Sequence, residues 1–195
     1  MVENVLTKET IITAGEDVLR RFGPEKASLS DVAKVMKVSH AAIYRYFKNK
    51  KALWDAIAEK WLDRISQPLN IIMDTTYTQA SEKMEKWLSQ LAESKRKSAL
   101  EDPEMFRLYA IMADHSGEVL RRHLDMLTEQ LAAIFRDGVR TGEFAGKNDV
   151  LTARTLLNAF TCFHNPAFAD EWSRSSYQND FKALWLLVRD GLIRQ

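Results

Sequence analysis

Residues 28–47 read SLSDVAKVMKVSHAAIYRYF. The spacing predicts two short helices joined by a tight turn. Ser28 precedes Asp31 by three residues, a capping-box signature ahead of an apolar helical pattern. Val32, Ala33, Val35 and Met36 supply an inward face, and Lys37-Val38 makes the turn. Ser39 then caps a second helix whose Ile43 and Phe47, four residues apart, face inward. Ser39, His40, Ala41, Tyr44 and Arg45 are left on the outward side. A helix that displays small, hydrogen-bonding and aromatic groups near its N-terminus can enter a DNA major groove. The alternative for this stretch is a plain surface hairpin of helices.

The charge pattern bears on that choice. The whole chain of 195 residues carries a net charge of only +1. Between Lys26 and Lys51, however, seven basic residues (Lys26, Lys34, Lys37, Arg45, Lys48, Lys50, Lys51) face one acid, Asp31. A local excess of this kind suits a phosphate-facing surface. One cysteine, Cys162, permits no intramolecular disulfide and builds no thiolate metal site alone. No apolar leader and no long apolar run appear, so a cytoplasmic protein without membrane contact is expected.

Outward from the motif the periodicity stays helical. Thr7 is a candidate N-cap for a helix over 8–22, with Ile11, Ile12, Val18, Leu19 and Phe22 at helical spacing and Gly23-Pro24 as its stop. Asn49 is placed to cap a connector helix over about 50–67, and Pro68 is expected to kink or break it. Further helices are expected over 80–99, from Pro103, from Gly117 to Gly142, from Asp149 to Asn165-Pro166, and over 177–194. The stretch 167–176 reads as irregular. No segment alternates with period two, so the expected fold is all-α with about nine helices. The expected domains are 1–49 for a helix-turn-helix head, then the connector, then 68–195 for a ligand-binding and dimerisation domain.

The run Val38-Ser39, Ile43-Tyr44-Arg45-Tyr46-Phe47-Lys48-Asn49-Lys50 and Leu53 resembles the TetR family of bacterial transcriptional regulators. The resemblance covers roughly the first 60 residues; beyond them it rests on helix number and on Val139-Arg140-Thr141-Gly142-Glu143-Phe144. It implies that Ser39 caps the recognition helix and touches a phosphate, and that His40 and Ala41 approach base edges. It also implies that Tyr44 reaches a phosphate or a thymine methyl, and that Tyr46 bonds the DNA backbone. Lys50 would hold a phosphate by charge and helix dipole. Ser28 and Ser30 would meet neighbouring phosphates, and Arg45 and Lys48 belong to the same DNA-facing set. For His40, a contact to phosphate alone is the competing role. One departure stands out. Lys37 occupies a turn position where the family commonly has glycine; a positive φ there costs a lysine about 1 kcal/mol. Either the turn differs or Lys37 compensates through a phosphate.

The resemblance further implies a homodimer on a palindromic double-stranded operator, with two recognition helices roughly 34–36 Å apart, and a small-molecule effector. Trp87, Met105, Phe106, Tyr109, Met112, Phe135, Phe160, Phe163 and His164 are candidates to surround a flat apolar or aromatic ligand; the competing role for each is ordinary core. Phe181, Leu184, Trp185 and Val188 are candidate dimer contacts. His115 and His123 with Asp114 and Asp125 are read as solvated helix faces rather than a metal site, and no cofactor is implied. Competing functions are a helix-turn-helix regulator without an inducer, or an all-helical enzyme. The latter lacks support: no histidine has a glutamate three residues before it, and no nucleotide-binding or hydrolase motif occurs, so no catalytic residue is assigned.

Overall fold

A computed structural model describes residues 6–115, 117–146 and 148–193, the side chains of 112–115 excepted. In chain order its helices are α1 (Lys8–Lys26), α2 (Leu29–Met36), α3 (His40–Tyr44), α4 (Lys50–Asp74), α5 (Ala80–Glu101), α6 (Pro103–His115), α7 (Gly117–Arg140), α8 (Asp149–Ala159), α9 (Thr161–His164) and α10 (Tyr177–Leu192). A 3-10 helix, Pro166–Ser173, lies between α9 and α10. Among the described residues every regular element is helical, as the absence of period-two alternation requires. Two compact units result: residues up to Asp63 with Pro103–Leu120, and Arg64–Asp102 with Arg121 onward.

In the first unit α1 opens on a reciprocal capping box between Thr7 and Thr10 and is interrupted at Gly23, whose φ of 73° suits glycine. Its Ile11, Ala14, Val18 and Leu19 are buried, as are Leu29, Val32 and Ala33 of α2. Close approach of α4 explains Gly15: a Cβ there would stand 2.7 Å from Ile57 Cδ1. One turn further along α4, Trp61 stacks on Tyr109 of α6 at 4.0 Å between centroids and meets Phe106 edge-on. Lys60 pairs with Glu9.

In the second unit the inward face of α5 carries Met84, Trp87, Leu88 and Leu91, all buried, together with Leu127, Leu131, Ile134 and Phe135 of α7. Trp87 Nε1 donates to Gln130 Oε1 at 2.8 Å, and Gln130 Nε2 donates to Asn70 Oδ1 at 2.8 Å. The start of α5 lacks a local side-chain cap, since Gln79 makes no such bond. Glu143 supplies it from the loop after α7, accepting from Ala80 N at 2.6 Å, Ser81 N at 3.0 Å and the Ser81 hydroxyl. A carboxylate at a helix N-terminus gains from both the free N–H groups and the dipole. Glu143→Ala is therefore expected to destabilise the protein by about 2–3 kcal/mol; an unchanged urea midpoint would show the cap to be dispensable. Phe144 follows it into the core, stacked on Phe135 at 5.7 Å, and its ring occupies the space where a Cβ on Gly138 would stand.

The structure corrects four local expectations. Helix α4 does not break at Pro68 but runs on to Asp74, so the connector exceeds 50–67; the proline costs one backbone hydrogen bond without ending the helix. The helix from Asp149 is divided at Phe160, whose φ and ψ of −91° and 11° leave the α region. Most of 167–176 is 3-10 helix rather than irregular, held by Trp172, which is buried and donates from Nε1 to Cys162 O at 2.8 Å. Trp185 is buried within its own chain, which removes it as a contact for a second copy; Phe181 is half-buried and packs edge-on against Phe160 and Phe163.

Candidate nucleic-acid interface

The interface candidate is built by α2, the turn and α3. Ser28 and Asp31 cap α2 reciprocally: Ser28 N donates to Asp31 Oδ2 at 3.1 Å, and Asp31 N donates to Ser28 Oγ at 3.3 Å. The Ser28 hydroxyl also donates to Asp31 Oδ2 at 2.6 Å. Ser28, then Lys34 nearby, holds the Asp31 carboxyl below the usual carboxylate range. The Ser28 hydroxyl is thus engaged inside the cap.

The turn is a Schellman motif. Val38 N donates to Ala33 O at 3.0 Å and Lys37 N to Lys34 O at 3.1 Å. Lys37 adopts φ 55° and ψ 39°, the left-handed conformation, which rules out a turn of different geometry. Gly142, at φ 79°, fills the equivalent place after α7, with Glu143 N bonded to Gly138 O. Lys37→Gly is expected to raise stability by about 0.5–1 kcal/mol through relief of the left-handed strain. A denaturation midpoint that fails to rise would mean that the lysine is held there by a compensating contact.

Past the turn, Ser39 Oγ accepts from Ala42 N at 3.2 Å and starts α3. Ile43 and Phe47 are buried beneath it, whereas His40, Ala41, Tyr44 and Arg45 share its exposed side. His40 is oriented from two directions. Its Nε2 lies 3.0 Å from Ser30 Oγ of α2, and its ring meets Tyr44 edge-on at 4.7 Å. Ser30, His40 and Tyr44 therefore form one exposed hydrogen-bonding and aromatic cluster across both helices. Nδ1 of His40 and the hydroxyl of Tyr44 remain as polar tips at its surface.

The remaining candidates sit around this cluster with different degrees of freedom. Lys48 is exposed. Tyr46 is half-buried and its hydroxyl donates to Leu6 O at 2.7 Å. Lys50, the first residue of α4, donates to Glu25 O at 2.8 Å and lies over the Trp54 ring at 5.8 Å. Asn49 caps α4 by accepting from Ala52 N at 2.8 Å. Sequence reasoning did not pair Ser30 with His40 or Lys50 with Glu25, because separations of ten and 25 residues leave no local signature.

The nine candidate ligand residues are not gathered into one unit. Met105, Phe106 and Tyr109 lie buried on α6 of the first unit, where burial pushes the Tyr109 hydroxyl well above its usual range. Trp87, Phe135, Phe160, Phe163 and His164 belong to the second unit, the first four buried. The Met112 side chain lies outside the described residues. An open groove of about 310 Å³ in the second unit is lined by Tyr77, Lys83, Asp137 and Arg140, among others, and by none of the nine. Two polar groups of this unit escaped the sequence reading. His123 is buried rather than solvated, and Lys95 is buried on the apolar face of α5. The spacing of Lys95 from Leu91 and Trp87, four and eight residues, was the signal available in the sequence.

Comparison with known proteins matches both parts of the chain. A family model described as bacterial regulatory proteins, tetR family, matches residues 11–57. A second, tetracyclin repressor-like, C-terminal domain, matches residues 80–185. The chain is 39% identical over 57 residues to the class G tetracycline repressor protein of Vibrio anguillarum, a stretch that is 29% of this chain and 27% of that one. Among solved structures, a transcriptional regulator of the TetR/AcrR family from Thermobifida fusca superposes with a TM-score of 0.69 at 21% identity, covering 96% of this chain and 98% of that chain. The fatty acid degradation regulator FadR from Bacillus halodurans superposes at 0.62 with 20% identity, covering 95% and 100%. No helix among the described residues is long and apolar enough to cross a membrane.

Proposed function

The chain belongs to the TetR family of bacterial regulatory proteins, and from that membership we propose that it is a DNA-binding transcriptional regulator, a repressor released from a palindromic operator when a small apolar or aromatic molecule binds its C-terminal domain. The observation that carries the DNA reading is the Ser30–His40–Tyr44 cluster: three groups able to meet base edges and phosphates, fixed on two helices inside the most basic stretch of the chain. Ser39, Ala41, Arg45 and Lys48 flank it.

Operator symmetry calls for a second copy. Val150 and Leu151 of α8 and Leu186 and Leu187 of α10 are exposed, Leu187 at 75%, which supports pairing of these helices with their counterparts in a dimer. Sedimentation of the protein with an operator-length duplex tests this: two chains per duplex are expected, and a one-chain complex at saturation removes the dimer.

Lys50 is proposed to exchange its bond to Glu25 O for a DNA phosphate. Lys50→Ala is then expected to weaken binding to all DNA sequences alike and to reduce the salt slope by about one. An unaltered slope assigns this lysine to bracing α1 against α4 only. The burial of Trp87, Phe135, Phe160 and Phe163 favours a second reading, a regulator without an inducer. Operator complexes that survive every small-molecule fraction of a cell extract would decide for it.

A further inference from the structure

We infer that Ser30 sets the tautomer of His40 on DNA, so that His40 reads the exocyclic amino group of an adenine or a cytosine rather than a guanine or thymine oxygen. The inference rests on the DNA reading proposed above and names the base chemistry that His40 recognises.

Ser30 Oγ and His40 Nε2 stand 3.0 Å apart across ten residues of chain. Both side chains are exposed. Among the described residues Ser30 Oγ has no other hydrogen-bond partner. The ring is steadied by Tyr44, which meets it edge-on at 4.7 Å. The two nitrogens of an imidazole point away from one another, so a ring that turns Nε2 to Ser30 turns Nδ1 away from it.

A neutral imidazole carries one proton, and the bond made at one nitrogen decides what the other offers. The serine hydroxyl also has one proton to give. If Oγ donates to Nε2, the ring proton sits on Nδ1, which then donates. If Oγ accepts from Nε2–H, Nδ1 is a bare acceptor. A DNA phosphate decides between the two, because its oxygens only accept.

Ser30 is well placed for a phosphate. It lies in the first turn of α2, with Lys34 one turn on and Lys37 at the helix end, both exposed. The one acid between Lys26 and Lys51 is already engaged: Asp31 accepts from Ser28 and pairs with Lys34 at 3.6 Å. With its proton given to the phosphate, Ser30 accepts from Nε2–H and Nδ1 faces the groove as an acceptor. The donors that the major groove displays are the adenine N6 and cytosine N4 amino groups; guanine O6 and N7, adenine N7 and thymine O4 only accept. Nδ1 bonds the first two and is repelled by the others.

Single-atom changes in a specific operator duplex test this. One base at a time is altered: the amino group removed (adenine to purine, cytosine to pyrimidin-2-one), N7 removed (7-deazapurines), or thymine O4 replaced by sulfur. At one position of each half-site, amino removal is expected to weaken binding of the full chain about tenfold and to leave His40→Ala unaffected. Ser30→Ala is expected to bring that ratio to about threefold or less, and Ser30→Thr to keep it. A phosphate contact alone would lower affinity for both duplexes and leave the ratio as it was. A His40-dependent loss at N7 or O4, no such loss on amino removal, or a full ratio in Ser30→Ala overturns the inference while leaving His40 a base reader. If His40→Ala and the unaltered chain respond alike at every position, base reading by His40 fails, and the inference with it.

Discussion

His40→Ala is expected to lower affinity for the specific operator by about ten- to a hundredfold, the range set by one base-edge contact worth about 1–3 kcal/mol. Affinity for unrelated duplexes is expected to stay the same, because phosphate contacts carry non-specific binding. The thermal midpoint is also expected to stay: His40 is exposed, its bond to Ser30 Oγ competes with water, and alanine suits a helix. Fluorescence anisotropy with specific and scrambled duplexes measures both affinities. Equal losses on the two duplexes would make His40 a phosphate contact. No loss on either would remove it from the interface and leave recognition to Tyr44 and Arg45.

Stability is expected to climb with pH across two successive windows. Unfolded, the His123 imidazole titrates near 6.5; folded, burial and then the neighbouring Lys95 and His164 hold it near 3. Between those values the unfolded chain carries the extra proton, so acidification favours unfolding. Lys95 repeats the pattern higher up, with 10.5 when unfolded and about 7 when buried. Here too the unfolded chain carries the extra proton, and stability rises from neutral toward alkaline pH. Each window is worth on the order of 3–5 kcal/mol if the whole shift is expressed. Urea midpoints of the protein, of His123→Phe and of Lys95→Met across this range test it. His123→Phe is expected to flatten the lower window and Lys95→Met the upper one, with Lys95→Met the more stable protein at neutral pH. Parallel profiles for all three would show that neither group is buried in its charged form's disfavour.

What could be read from the sequence was local chemistry. Thr7, Ser28, Ser39 and Asn49 each cap a helix from three residues away, and the structure forms all four caps. Lys37 announced its own problem, because the Schellman geometry needs a left-handed residue whatever side chain stands there. What escaped the reading depends on partners distant in the chain. Glu143 caps α5 from more than 60 residues away. Pro68 sits inside a helix that runs on to Asp74, and Phe160 interrupts a helix that the periodicity joins. Lys95 and His123 are polar letters in apolar stripes, and both prove to be buried. The exposed face of α3 was legible; the Ser30 bond that orients His40 was not.

Selection of bound duplexes from a random pool by the purified protein, followed by sequencing, tests the central claim most directly. The predicted result is one enriched inverted repeat, with half-sites about one helical turn of DNA apart, that is lost or blurred at the His40-facing position with His40→Ala. A pool that returns without an enriched sequence, or with a single asymmetric half-site, would contradict a dimeric regulator reading DNA through α2 and α3.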